Sequence, residues 1–263
     1  MLGTGSAFPA HSYNECFMLD TGVGRLLVDA GGGNGIIHIL EKAQLDIATI
    51  HDFFVTHTHT DHILGAIWII RRIVQLHIEN RYEGTLSIYG NRDVIHALTE
   101  ICRLTFLPSY FSAMKEVVRF NTVEQGESRL IAGAEVQFID CHSANTMQTG
   151  FRMRLPSGKV FCCLGDEALT QTNLSEVIDA DYLLCGAFCR YADRDIFRPY
   201  EKHHSTVKDV AVNAAAARIG TLILAHCEDR MPGDRNALYA AEAANYYDGN
   251  VIVPNDADRI DLA

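Results

Sequence analysis

Seven residues, Thr56-His57-Thr58-His59-Thr60-Asp61-His62, hold three histidines and an aspartate directly after the apolar run His51-Asp52-Phe53-Phe54-Val55. Neutral imidazoles and carboxylates are ligands for zinc and its neighbours in the transition series. An extended segment points alternate side chains the same way, so His57 and His59 can share one ion. Asp61 and His62 come where the chain turns into the next helix, so they face another direction and can hold a second ion beside the first. Burying three imidazoles and a carboxylate without a metal or dense hydrogen bonding is costly. The stretch therefore reads as the start of a metal site.

The elements around it have to deliver these groups to one cleft. The run 51–55 reads as a buried strand. Apolar residues at Ile63, Ala66, Ile67, Ile70 and Val74 recur at helical spacing, so a core-facing helix over 63–77 begins at Asp61 and His62. Upstream, strands over 14–19 and 25–30 form a hairpin around Gly22 and Gly24. Asp29 closes the second of them and is expected to brace the histidine loop rather than bind metal. Helices are expected over 36–42, 91–104 and 206–218, and further strands over 86–89, 117–120, 134–141, 150–155, 159–164, 182–185 and 221–225. His77 and His96, on helices, read as structural or exposed. One pattern recurs: strands run into Thr56-His57, into His142, into Gly165-Asp166 and into His226. Strand ends are where layered α/β proteins carry their sites.

Composition narrows the class. The chain has 263 residues, 48% hydrophobic and 21% charged, which is ordinary globular composition with length for one large domain over 1–263. No apolar run approaches the roughly 18 residues of a membrane span, and no signal peptide is evident, so the expected location is cytoplasmic, with no membrane partner. The net charge is −11, and adding four charges from two divalent cations leaves −7. That balance argues against a general nucleic-acid coat, while leaving room for a local basic patch. The eight cysteines lack zinc-finger spacing and read as small buried residues, Cys141 and Cys227 included, although both adjoin a histidine of interest.

With Gly3-Thr4-Gly5-Ser6, the 56–62 motif and the later His142, Asp166 and His226 in order, the chain resembles the metallo-β-lactamase superfamily, and within it the ribonuclease Z branch. The resemblance runs over nearly the whole length. It implies an α/β fold, a four-layer αββα sandwich with the site along one edge of the paired sheets. It also implies two divalent ions, Zn²⁺ first with Mn²⁺ or Fe²⁺ as alternatives. His57, His59 and His142 would hold one, Asp61, His62 and His226 the other, and Asp166 would bridge them. His204-Ser205-Thr206, preceded by Lys202-His203, resembles the His-Ser-Thr element of ribonuclease Z and related phosphodiesterases. Its histidine, here His204, helps position or protonate the scissile phosphate; Asp61 and His204 are the expected catalytic residues. Thr206 or Ser205 equally suits a helix cap. Dimers are common in the branch.

Two departures matter. Where the branch carries a His-Glu dipeptide whose glutamate orients that histidine, this chain has Cys185-Gly186-Ala187-Phe188, so Glu167 or Glu201 would have to substitute or the chemistry differs. Only 23 residues separate His142 from Asp166, which leaves no room for the long tRNA-gripping arm. Arg190, Arg194, Arg198 and Lys202, with Tyr191, Phe197 and Tyr200 between them, form either a substrate-contacting segment over 188–202 or a solvated face. The reading is a hydrolase that directs a metal-bridging hydroxide, its water acidified towards a pKa of about 7, at a small or nucleotide-type phosphodiester. Alternatives are tRNA 3′ processing, in which RNA would be the partner; hydrolysis of an ester, thioester, lactone or sulfate; and a metal-stabilised binding protein.

Overall fold

Along Leu26-Leu27-Val28 and Leu183-Leu184-Cys185 successive side chains go to opposite faces of a strand, and every one of them is buried. A strand buried on both faces must lie in a sheet covered on both sides. Two such sheets, each with its own outer helices, make up the molecule. The computed structural model describes residues 1–231 and 233–262.

In chain order the first half comprises β1 (Phe17–Asp20), β2 (Arg25–Val28), α1 (Gly35–Lys42), β3 (Asp52–Phe54), α2 (Thr60–Ile78), β4 (Leu86–Gly90), α3 (Arg92–Thr105), α4 (Pro108–Val117) and β5 (Val118–Thr122). Its five strands pair in the order β1-β2-β3-β4-β5, parallel except for the opening hairpin. The second half comprises β6 (Ser128–Ile131), β7 (Ala134–Asp140), β8 (Thr149–Arg154), β9 (Val160–Cys163), α5 (Leu174–Val177), β10 (Tyr182–Gly186), α6 (Arg194–Phe197), α7 (Val207–Ala216), β11 (Thr221–Ala225), α8 (Arg235–Ala243) and β12 (Asn250–Ile252). They form one sheet in the order β12-β11-β10-β9-β8-β7-β6. Its β6 to β9 run antiparallel and its β9 to β12 parallel.

Three cores follow from the alternation. Phe17, Phe54, Phe138, Phe151, Phe161, Leu184 and Ile223 fill the space between the sheets. Leu27, Phe53 and Ile88 pack outward against Ile63, Ala66, Ile70 and other helical residues of the first half. Leu183, Cys185, Leu222 and Leu224 pack outward against Val207, Val210, Ala214 and Tyr239. The arrangement is the expected αββα sandwich. Among the described residues no helix is long and apolar enough to cross a membrane.

The sequence reading has no helix over 108–117; Pro108 opens α4 at the first helical position, where its missing N–H costs nothing. A cavity of about 410 Å³, lined by Phe17, Leu19, Phe161, Leu184 and Ile223 among others, opens at the strand ends that begin β2 and β9. The histidines lie at the opposite ends of those strands, so this cavity is apart from them.

Candidate metal centre

Several of the strand ends at the site carry a residue in a special backbone conformation, whereas residues 55–62 leave β3 without one. Asp29, His142 and His226 follow β2, β7 and β11 in the left-handed region, at φ of 54°, 56° and 53°. For non-glycine residues that conformation is strained and persists only where surrounding structure enforces it. Gly165, at φ 62°, turns the chain after β9 and delivers Asp166. Gly186 is the counterpart on β10: a Cβ there would stand 1.9 Å from the Asp166 carbonyl oxygen, so only glycine allows this approach.

Asp166 Oδ2 occupies the centre. It lies 3.7 Å from His57 Nε2, 3.8 Å from His62 Nε2 and 3.9 Å from His226 Nε2. Asp61, in the first turn of α2, brings its Oδ2 to 3.4 Å from His62 Nε2. Two compact donor sets result, His57-His62-Asp166 and Asp61-His62-His226, all buried. The other oxygen of Asp166 accepts a 2.6 Å hydrogen bond from Gln148 Nε2, which keeps Oδ2 turned inward.

The far sides of the rings are held as well. Asp29 accepts from the Thr56 backbone N–H at 2.9 Å and from the Thr56 hydroxyl at 2.8 Å, and its Oδ2 is 2.8 Å from His62 Nδ1. With its proton given to Asp29, the Thr56 hydroxyl accepts from His57 Nδ1 at 2.9 Å. This network assigns the proton to Nδ1 of His57 and His62 and leaves Nε2 bare. Those Nε2 atoms are buried and have no hydrogen-bond partner among the described residues. Buried orphaned nitrogens converging on a carboxylate are costly alone and suit a divalent cation. The donor set therefore fits the implied metal.

Electrostatics point the same way. Burial pushes the His57 imidazolium down to about 4, so this ring is a neutral donor at pH 7. For Asp166 burial opposes ionisation, but His57, His62 and His226 more than offset it and hold the carboxyl well below its usual range. Burial works against charge on His62 too, yet Asp29, Asp61 and Asp166 carry it well above the ordinary imidazole value.

Two predicted ligands stand outside the buried cluster. His59 is the N-cap of α2, exposed, its ring 4.6 Å from that of His57 in an edge-on arrangement. His142 is turned to Asp140, its Nδ1 3.7 Å from Asp140 Oδ2, with a third of its side chain exposed.

His204 joins the cluster from the second half. Its ring stacks on Phe188 at 5.1 Å and lies 5.1 Å from that of His226. Burial, then His226, lowers its imidazolium to about 4. Neither expected substitute for the orienting carboxylate does that work: Glu201 is exposed and pairs with Arg198 at 3.6 Å, while Glu167 bonds to Ser143. Phe188, in the 185–188 segment that stands where the branch carries the dipeptide, holds the ring by its face. Thr206 is the cap of α7, in a capping box with Asp209, which absorbs that hydroxyl.

The family described as Anti-Pycsar protein Apyc1 matches residues 1–239. The chain belongs to that family. Ribonuclease Z of Haloferax volcanii is 24% identical across 99% of this chain and 93% of its own length. The metallo-β-lactamase fold protein YhfI from Bacillus subtilis superposes with a TM-score of 0.78 at 17% identity, covering 97% of this chain and 95% of that one. The short form of human tRNase Z gives 0.73 at 21% identity, covering 100% and 98%. This Apyc1-family protein is accordingly a ribonuclease Z-like member of the metallo-β-lactamase superfamily, a metal-dependent hydrolase.

Within the Apyc1-family chain the 188–202 segment is neither a continuous helix nor a free basic patch. Arg190 forms a bidentate pair with Asp193, and Arg194 lies 3.9 Å over the Tyr191 ring. Lys202 instead sits 4.8 Å over Phe188, beside His204. Cys141 and Cys227 are buried with their thiols pushed up by burial, Cys227 to about 12, so core packing is their part. Two groups escaped sequence reasoning, Gln148 and Glu15. Glu15 follows Asn14 in the opening segment, and no local spacing connects it with His226.

Proposed function

We propose that the protein is a dinuclear phosphodiesterase acting on a small or nucleotide-type phosphodiester. The observation that carries this is His204, stacked on Phe188 beside the ring of His226, where a hydrogen-bond donor can face a substrate held against the buried donor set. His57, His59, His142 and Asp166 are assigned to one ion, and Asp61, His62, His226 and Asp166 to the other. Two divalent cations, when bound, supply a water acidified enough to attack at neutral pH and positive charge for the phosphate oxygens.

The chain's own residues do the rest. Asp61 and Asp166 set the charge of the site, while Asp29 and Thr56 hold the histidine tautomers. Attack forms a new P–O bond in line with the one that breaks, and His204, neutral at pH 7, offers its N–H as a hydrogen bond to the departing oxygen or to the phosphate. Lys202, over the Phe188 ring, adds a cation against the substrate's remaining negative charge.

A second reading, RNA as substrate, is favoured by the relatives that bear the name ribonuclease Z. The net charge of −11 and the internal pairing of Arg190 and Arg194 weigh against it. The deciding experiment compares chromogenic phosphodiesters, carboxylic esters and precursor tRNA with wild type, Asp166→Ala and His204→Ala. Phosphodiester cleavage that is lost in Asp166→Ala and falls at least tenfold in His204→Ala supports the reading. Efficient ester cleavage with His204→Ala unimpaired on phosphodiesters refutes it, and salt-sensitive binding and cleavage of tRNA moves the assignment to RNA.

A further inference from the structure

Glu15 is 2% exposed and has no cationic side chain against it among the described residues. A buried carboxylate in that condition is expensive unless a donor faces it. The group that does face it is His226: Glu15 Oε2 lies 3.6 Å from His226 Nδ1, just beyond hydrogen-bonding distance, and each of these two atoms is buried without another partner. The backbone enforces the meeting. Gly5 bridges to both Asn14 and Cys227, and the Glu15 N–H donates to the Gly5 carbonyl, so Glu15 and His226 flank the same short ladder.

The geometry repeats what Asp29 does for His62 at 2.8 Å. In both pairs a buried carboxylate stands behind Nδ1 while Nε2 points at Asp166 Oδ2. We propose that Glu15 is the positioning residue for His226, fixing its Nδ1–H tautomer and completing the holding power of the Asp61-His62-His226 side of the centre. The proposal rests on the dinuclear reading above. It also gives a charge balance: Asp61, Asp166, Asp29 and Glu15 are four buried carboxylates, matched by two divalent cations. Without Glu15 the second cation enters a site one negative charge short, and His226 is free to take the wrong tautomer.

The test strips wild type, Glu15→Gln and Glu15→Ala of metal and titrates each with Zn²⁺ alone against a competing chromophoric chelator. Apo thermal midpoints are measured in parallel. Wild type is expected to take two ions. In Glu15→Gln the first binds as in wild type and the second about 10–100-fold more weakly. Its apo midpoint is unchanged or higher, since a poorly compensated buried charge has been removed. Wild-type affinity for both ions in Glu15→Gln overturns the proposal, as does a lowered apo midpoint with unchanged metal binding, which would make Glu15 merely structural. A wild type that binds one ion refutes the dinuclear reading instead. Glu15 is then judged on that ion, where unchanged affinity in Glu15→Gln overturns it and weakened affinity supports it. Should Glu15→Ala fail to fold, Glu15→Asp replaces it: restored charge at shorter reach should recover part of the second ion's affinity, and no recovery relative to Glu15→Gln counts against the proposal.

Discussion

Replacing Asp29 probes the support of the centre without touching a proposed ligand. Its carboxylate is 2% exposed and accepts from the Thr56 N–H at 2.9 Å, the Thr56 hydroxyl at 2.8 Å and His62 Nδ1 at 2.8 Å. Asp29→Ala leaves three buried donors without an acceptor, each costing about 1–3 kcal/mol. It also puts alanine at φ 54°, a left-handed position that adds roughly 1–2 kcal/mol. Relief from burying a charge offsets part of this, so a net loss of about 3 kcal/mol is expected from urea unfolding of the apo protein. Asp29→Asn tolerates the left-handed backbone and keeps one acceptor oxygen, so about 1–2 kcal/mol is expected there. Both variants should bind metal about 10–100-fold more weakly, because the tautomers of His57 and His62 are no longer enforced. Asp29→Ala with less than about 1 kcal/mol of destabilisation and wild-type Zn²⁺ affinity would refute the bracing role.

Further outcomes follow from single contacts. Gly186→Ala would push a Cβ into the Asp166 carbonyl at 1.9 Å; displaced Asp166 should cost most of the activity, and metal analysis should find fewer ions per chain. Phe188→Ala removes the face on which His204 rests; phosphodiester turnover should fall about tenfold with metal stoichiometry intact, whereas lost metal would show Phe188 to be part of the fold instead. Asp229 has a carboxyl held at about 2: burial opposes this, but Ser12 and the N–H groups of Ala10, His11 and Ser12 outweigh it. Since its value is lowered on folding, its contribution is complete above its ordinary value near 3.8 and is lost as pH falls towards 2. Asp229→Asn should therefore flatten stability against pH between about 4 and 2, and amide exchange of residues 10–12 should quicken at neutral pH; an unchanged acid profile would refute the anchor.

The chemistry was legible wherever a signal was local. Three histidines and an aspartate within seven residues need no fold to be noticed, and α2 begins as its apolar spacing predicts, with Asp61 and His62 in the first turn. Short continuous apolar runs marked the central strands, because both faces of each are buried, and period-two alternation marked 134–141. The bracing role of Asp29 was readable from its place at a strand end before three glycines. Other roles had no local trace. Glu15 is an ordinary acidic residue in the sequence, and only the ladder of Gly5 with Asn14 and Cys227 carries it to His226. The basic residues of 188–202 left substrate contact and a solvated face both open; folding pairs Arg190 with Asp193 and lays Arg194 on Tyr191. Phe188 reads as the loss of an orienting glutamate until the ring of His204 is seen lying on it.

The sequence alone thus determined which groups could bind metal and the order in which strands present them, since residue type and spacing are properties of the chain. Tertiary structure decided which rings converge on Asp166, which stay at the exposed edge, and what stands behind each buried nitrogen. Those outcomes depend on distances between segments far apart in the chain, and burial acts on them only once the two sheets have closed face to face.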